Sequence, residues 1–398
     1  MNARATLGAG AGTGAMKTSA STEKFKIEIA ERLELVQRDW DALMLDGRYT
    51  PFQTPHWLRP WYALVAPHIG ARPLFVTVRD RVSGEPLMLL PLCLRRLGLL
   101  KIIEFADGGL SDYNAPILAS NFSPRGTEMQ ELWRAILAAL PFADVVRLQK
   151  LPALLDGREN PLHHLNEIRR MSLESWCVEL PKTRAAYEKM LAPTFNKELR
   201  RKGRRVESHG KASLVHARDR ADALRIFDAL AEMRALRFEE LGRDNVLAVP
   251  ALRAFYETVI VEGWDHDFTA LSALEVDGTI VAALFALRHA KNYHLLLSSF
   301  RSGDWKSASP GNVALDRMAS HLIETGVEIF DFTIGNESYK RDFGAKPQAL
   351  AMADHPLSLI GWPHAMRRVL SHHVGNSLRS PAVGRATSAA RRILRIGS

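Results

Sequence analysis

The sequence predicts an α/β protein made of two like units, each a mixed central sheet flanked by helices. Three observations carry that expectation. The chain has 398 residues, more than one ordinary core holds. Its composition, 46% hydrophobic and 24% charged, is that of a globular chain able to bury a full core. One order of elements, β-α-α-β-β-β-α-β, is legible twice along the chain without obvious sequence identity.

The first copy opens with strand "KFKIEIA" (24–30), a helix through Trp40 and Leu43, and a second helix entered at "TPHWLRPWYALV". Strands "PLFVTVRD" and "PLMLLPLCLRR" follow around a short turn containing Gly84. Then come "KIIEFA", the loop "DGGLSDYNAP", a helix around 125–140 and the strand "DVVRLQKL". The second copy begins with "KASLVHA" (211–217), a long helix from about Asp219 to Leu241, and another from Pro250 to about Glu262. "FTALSALEV" and "TIVAALFALRH" flank Asp277-Gly278, a strong two-residue hairpin signal. "YHLLLSS", a loop, a helix from about Pro310 to Thr325 and "VEIFDFTI" complete it. Between the copies lie the β-like "ESWCVEL" and a basic helical region, 183–208.

These elements divide the chain into a leader (1–23), a first unit (24–180), a second unit (181–360) and a basic tail (361–398). The leader is small and polar without an apolar segment, which argues against a secretory signal and for disorder, or for a true start at Met16. From Pro363 to Ser398 there are seven arginines and no Asp, Glu or Lys, so seven of the nine net positive charges sit in the tail. Its mixture of cations and apolar residues suits an anionic membrane surface or a nucleic acid, or simply a solvated tail. No run of about 18 apolar residues predicts a membrane span. Cys93 and Cys177 stand far apart, so neither a disulfide framework nor a zinc site is indicated, and no metal is expected. The cytosol is the expected compartment, with contact to the inner face of the membrane left open.

Three stretches of the second unit could carry chemistry. "FNKELRRKGRRVE" (195–207) places Lys197, Arg201, Arg204 and Arg205 at three- and four-residue intervals, one cationic helix face that either binds phosphate or is merely solvated. "SASPGNVALDRM" (307–318) starts a helix with Ser309 as N-cap and Pro310 at its first position. Gly311 leaves the first turn bare, so the N–H groups there could hold a pyrophosphate. "IFDFTIGNESYKRDFG" (329–344) is a strand with Phe330, Phe332 and Ile334 on one face and Asp331 and Thr333 on the other, ended by Gly335. Tyr339 and Lys340 then lie beyond a central strand's end, where binding residues of open α/β sheets gather. There the tyrosine could protonate a leaving thiolate and the lysine could stabilise negative charge. The alternative is a Lys340 paired with Glu337 or Asp342 and a Tyr339 packed as a lid. G-x-S-x-G, H-E-x-x-H, Walker and G-x-G-x-x-G signatures are absent.

"SPGN" opening a helix, then "FDFTIGNESYKRDFG", resembles the acetyltransferase-like proteins of bacterial cellulose and exopolysaccharide biosynthesis (the CelD-like family). These belong to the Gcn5-related N-acetyltransferases and are similar to Fem-type aminoacyl transferases. "KELRRKGRR", the "VDG-IVAALFAL" hairpin and "FQTPHWLRPWY" carry the same resemblance, which covers most of 25–355. It implies tandem Gcn5-related folds and an acyltransferase using acetyl-CoA or another acyl-CoA. Pantetheine would lie against the fourth strand and pyrophosphate at Ser309, Gly311 and Asn312, with Arg201 and Arg205 beside it. Tyr339 matches the position of a general acid in relatives, and Lys340 would bind a phosphate or carboxylate. Asp112 and Tyr113 of "LSDYNAP", with Asp331 and Glu337, are the expected acceptor-side groups. "FRSGDWKSASPG" departs from the superfamily's Q/R-x-x-G-x-G/A loop, so aminoacyl-tRNA remains an alternative donor. The implied acceptor is an amine or hydroxyl of a cell-envelope or exopolysaccharide precursor. A non-catalytic accessory protein of polysaccharide synthesis is the third alternative.

Overall fold

The computed structural model describes residues 17–363. Most of the leader and nearly all of the basic tail, with its expected membrane or RNA contact, lie outside these residues. The strands β1 (Lys17–Ser21) and β2 (Phe25–Ala30) lead into α1 (Gln37–Asp46). Pro60 interrupts the next helix, so α2 (Pro55–Pro60) passes through a π-turn (Trp61–Val65) before α3 (Ala66–His68). The strands β3 (Arg72–Asp80), β4 (Pro86–Leu97) and β5 (Leu100–Phe105) form a meander. Short β6 (Ile117–Leu118), α4 (Gly126–Ala139), β7 (Val145–Pro152), a β8 (Leu154–Leu155) and β9 (Arg158–Glu159) hairpin, and β10 (Arg169–Glu179) follow.

The second half runs α5 (Arg184–Met190), α6 (Pro193–Glu207), β11 (Ala212–His216), α7 (Arg220–Glu240) and α8 (Pro250–Gly263). It continues β12 (Thr269–Val276), β13 (Thr279–His289), β14 (Asn292–Phe300), α9 (Pro310–Glu324), β15 (Ile329–Ile334), α10 (Tyr339–Asp342) and β16 (Lys346–Pro356). Local chemistry sets the boundaries. Asp219 caps α7 by accepting from the Asp222 N–H at 2.8 Å. Asp277 and Gly278 both take positive φ, which twists the β12–β13 hairpin in the right-handed sense of its strands.

The two halves share one 14-stranded sheet, ordered β1-β2-β3-β4-β5-β7-β16-β10-β15-β14-β13-β12-β11 with β6 against β4. Its centre changes the reading of the domains. β10, from the first stretch, pairs with β15, while β16, from the last, crosses to β7, and the two pair with each other. A boundary at 180 therefore divides the sequence but not the sheet. The leader also needs correction, because Lys17–Ser21 pairs antiparallel with β2.

On one face, α1 to α3, α7 and α8 enclose a single core, with Trp57 and Phe255 from opposite halves meeting edge to face at 4.9 Å. The other face carries two separate cores, one under α4 and one under α5, α6 and α9. The shared core and the exchanged strands fix the halves against each other, which is what allows one site to draw on both.

Candidate functional site

The strands β14 and β15 pair in parallel at only three positions, Asn292–Ile329, Tyr293–Phe330 and His294–Asp331. They then separate, because Thr333 turns the chain. Its φ is +55°, a conformation that costs a β-branched residue roughly 1–3 kcal/mol. Three contacts hold it there. The Thr333 N–H donates to Asp331 Oδ1 at 2.7 Å, its hydroxyl donates to the Leu295 carbonyl at 3.0 Å, and its carbonyl accepts from Lys340 Nζ at 3.3 Å. The result is a notch with Thr333 at its base and the edge of Leu295–Phe300 as one wall. Sequence reasoning missed Thr333: a threonine in an apolar alternation carries no sign of a left-handed backbone.

The first half has the same parallel pair, β5 with β7, also over three positions ending at Glu104–Arg147. There the chain fills its own notch. Asn114 bonds the edge of β7 twice, its N–H to the Lys150 carbonyl and its amide to the Gln149 carbonyl, both at 3.0 Å. Trp57, Gln53 and Trp61 bond Ser111 Oγ and the Tyr113 and Asp107 carbonyls, and Lys150 binds Asp107 at 2.9 Å. Loop 106–116 is thus a plug, and it leaves the notch of the second half as the candidate donor groove.

The plug also reaches the second half. Tyr113 Oη donates to the Asp331 carboxylate, 2.8 and 3.0 Å from its oxygens. His294 Nδ1 lies 2.9 Å from the same carboxylate, which can only accept, so Nδ1 carries the proton. All three side chains are buried. Asp331, expected on the acceptor side, is therefore occupied by Tyr113, His294 and the Thr333 N–H, and it locks the loop to the notch. His294 was missed because a single histidine in a strand gives no sequence signal. Beside Tyr113, the partly buried Asp112 faces Thr333, Lys150 and Lys340; burial pushes its carboxyl up to about 6, against the pull of the two lysines.

Tyr339 also borders the notch. Its ring packs on Phe332 and Phe343, and it interacts with Ser298 on the β14 wall and with Arg237 of α7. Burial, reinforced by the Glu337 carboxylate, raises its phenol well above the ordinary value, so it stays protonated. Lys340 requires a correction. It is buried, 3.1 Å from Glu337, and bonded to the Thr333 carbonyl, so it shapes the notch rather than reaching a phosphate. Gly335, at φ +141°, has room for this ion pair only because it lacks a side chain; a Cβ would stand 2.8 Å from Lys340 Nζ.

At the start of α9 the structure departs from expectation twice. Ser309 is the N-cap residue but makes no side-chain cap; its φ is +47° and its hydroxyl turns back toward the Lys306 carbonyl. Gly311 is small for an internal reason, since a Cβ would meet Phe300 Cδ1 at 2.7 Å. Gly311→Leu is accordingly expected to lower the unfolding free energy by about 1–3 kcal/mol in chemical denaturation. Asn312 lies partly buried in the same turn, Arg205 reaches the Ser307 carbonyl at 3.4 Å, and Arg201 points to solvent. The helix start, the β14 edge and Arg205 are the groups here that could hold an anionic cofactor. Among the described residues no group of three or more His, Cys, Asp or Glu could hold a metal, and no helix is long and apolar enough to cross a membrane.

Residues 194–341, which contain the notch, match the family described as acetyltransferase (GNAT) domain. That match lies within the second half and spans less than half of the chain. Among solved structures, FemX superposes with a TM-score of 0.53 at 10% identity, over 79% of this chain and 95% of that one. The C-terminal domain described as that of a lysylphosphatidylglycerol synthetase from Agrobacterium fabrum gives 0.51 at 13% identity, over 85% and 96%. At such identities the likeness shows a shared fold. No curated protein sequence matches the chain.

Proposed function

We propose that the protein is an acyltransferase that moves an acyl group, acetyl in the simplest case, from acyl-CoA to an amine held between its two halves. The observation that supports this reading is that Asp112 is coupled to Thr333 and Tyr339 to Ser298, so both border the notch, one with its carboxyl raised to about 6 and the other with its phenol kept protonated. The donor thioester lies along Leu295–Phe300, where free backbone N–H groups of the β14 edge polarise its carbonyl. Asp112 takes a proton from the acceptor ammonium, and Tyr339 gives one to the departing thiolate. Thr333, Lys340, Asp331 and His294 hold these two groups in place. The resemblance to proteins of cellulose and exopolysaccharide biosynthesis supports a cell-envelope or exopolysaccharide precursor as acceptor.

Calorimetry with acetyl-CoA tests the donor: saturable binding is expected, and absence of heat at about 1 mM ligand would count against it. Tyr339→Phe is expected to lower kcat about 10- to 100-fold while leaving acetyl-CoA affinity unchanged. A second reading, aminoacyl-tRNA as donor, is favoured by Arg201 and Arg204, exposed on α6 without an ion-pair partner among the described residues. It requires tRNA retention that falls steeply with salt and with neutralisation of these arginines.

A further inference from the structure

Near the site, α7 carries two cations the proposed chemistry does not use. Arg234 and Arg237 stand one turn apart on α7, so they project on the same side of that helix. Neither has a carboxylate within ion-pair distance among the described residues. The Arg234 guanidinium lies over Phe238 at 4.2 Å and spends one N–H on Asn245 Oδ1 at 3.2 Å. That of Arg237 lies over Phe300 at 4.4 Å, at the open end of β14. Both are partly buried. Burial lowers the Arg234 pKa, as expected for a guanidinium drawn out of water without a counter-ion.

The pair is not isolated from the site. Arg234 interacts with Tyr256 of α8 and Glu337, Tyr256 with Asp112, and Arg237 with Tyr339. These couplings connect both arginines to the first-half loop and to the start of α10. Two planar cations held open by aromatic stacking, each with free N–H donors, match the paired oxygens of a carboxylate or phosphate. The acid coupled to Arg234, Glu337, is committed to Lys340 at 3.1 Å.

We propose that Arg234 and Arg237 form an oxyanion subsite for the acceptor, so that the substrates of this protein carry a carboxylate or phosphate near the amine that is acylated. This rests on the acyltransferase reading for its placement of the amine at Asp112, but the anion subsite can be measured without turnover. Three probes of similar length separate the terms: n-butylamine, 4-aminobutanoate and 3-aminopropyl phosphate. In calorimetry on the full-length protein, at least one anionic probe is expected to bind about tenfold or more tightly than butylamine. The stronger of the two identifies the anion as carboxylate or phosphate. Arg234→Gln/Arg237→Gln is expected to erase the preference, and Arg237→Gln alone, a more exposed change, to reduce it. Matching circular dichroism and thermal melts would show that the variants fold. Equal binding of the three probes, no heat from any at about 10 mM, or a preference that survives in the folded double variant would overturn the proposal. Anion binding without acetyl transfer would instead reject the acyltransferase reading and leave the subsite standing.

Discussion

Asp112→Asn is expected to lower kcat for acetyl transfer by about 10²- to 10⁴-fold while acetyl-CoA affinity stays within about twofold of wild type. The asymmetry follows from where Asp112 sits. It belongs to the first half and is coupled to Thr333, and in the proposed mechanism it acts on the acceptor rather than on acetyl-CoA. The pH dependence is the sharper readout. A base acts only when deprotonated, and burial holds the Asp112 carboxyl at about 6. The wild-type rate should therefore rise through about pH 6 and level off above it, and that limb should vanish in the asparagine variant. A limb that persists unchanged in Asp112→Asn would place the base elsewhere. Stopped-flow or plate-reader detection of free thiol across pH 4.5–8 would suffice, with acetyl-CoA saturating throughout.

Asp331→Ala should produce the largest loss of stability among substitutions at the site. Removing one carboxylate leaves the Tyr113 hydroxyl, the His294 Nδ1–H and the Thr333 N–H without their acceptor, all in buried positions. At about 1–3 kcal/mol for each orphaned donor, a total of at least about 3 kcal/mol is expected, read as a lower urea midpoint with an unchanged slope. The damage should be directional as well. Tyr113 is the bond by which the first-half loop grips the second half, so limited proteolysis should reach loop 106–116 before other segments. Asp331→Asn keeps the shape and one acceptor oxygen, and should lose less. If both variants unfold like wild type, the Tyr113–Asp331–His294 chain does not hold the halves in register.

The repeated element order was legible because it rests on strong periodicity and punctuation. The Asp277–Gly278 turn, the Asp219 cap and Pro310 at the start of α9 each announce themselves locally. The exchange of β10 and β16 could not be read that way, since strand pairing across the centre of a sheet leaves no mark on either strand's own sequence. The same division runs through the site. Tyr339 and Lys340 were singled out beyond a strand's end, and Asp112, Tyr113, Asp331 and Glu337 came with the family resemblance; the structure links all six to Thr333 and its neighbours. Their division of labour was not legible. Lys340 and Asp331 look like ligand-binding groups on paper, yet each is satisfied inside the protein by Glu337, Thr333, Tyr113 and His294. Gly311 looked like clearance for a ligand and proves to be clearance for Phe300. Sequence shows which residues are chemically capable, whereas the partners that consume that capability come from distant parts of the chain.

A crystal structure of the protein soaked with acetyl-CoA tests the central claim most directly. The thioester should lie between Leu295–Phe300 and Thr333, its sulfur within hydrogen-bonding reach of Tyr339 and its carbonyl carbon facing Asp112. Acetyl-CoA bound instead against β5 and β7 of the first half, with loop 106–116 displaced, would contradict the account.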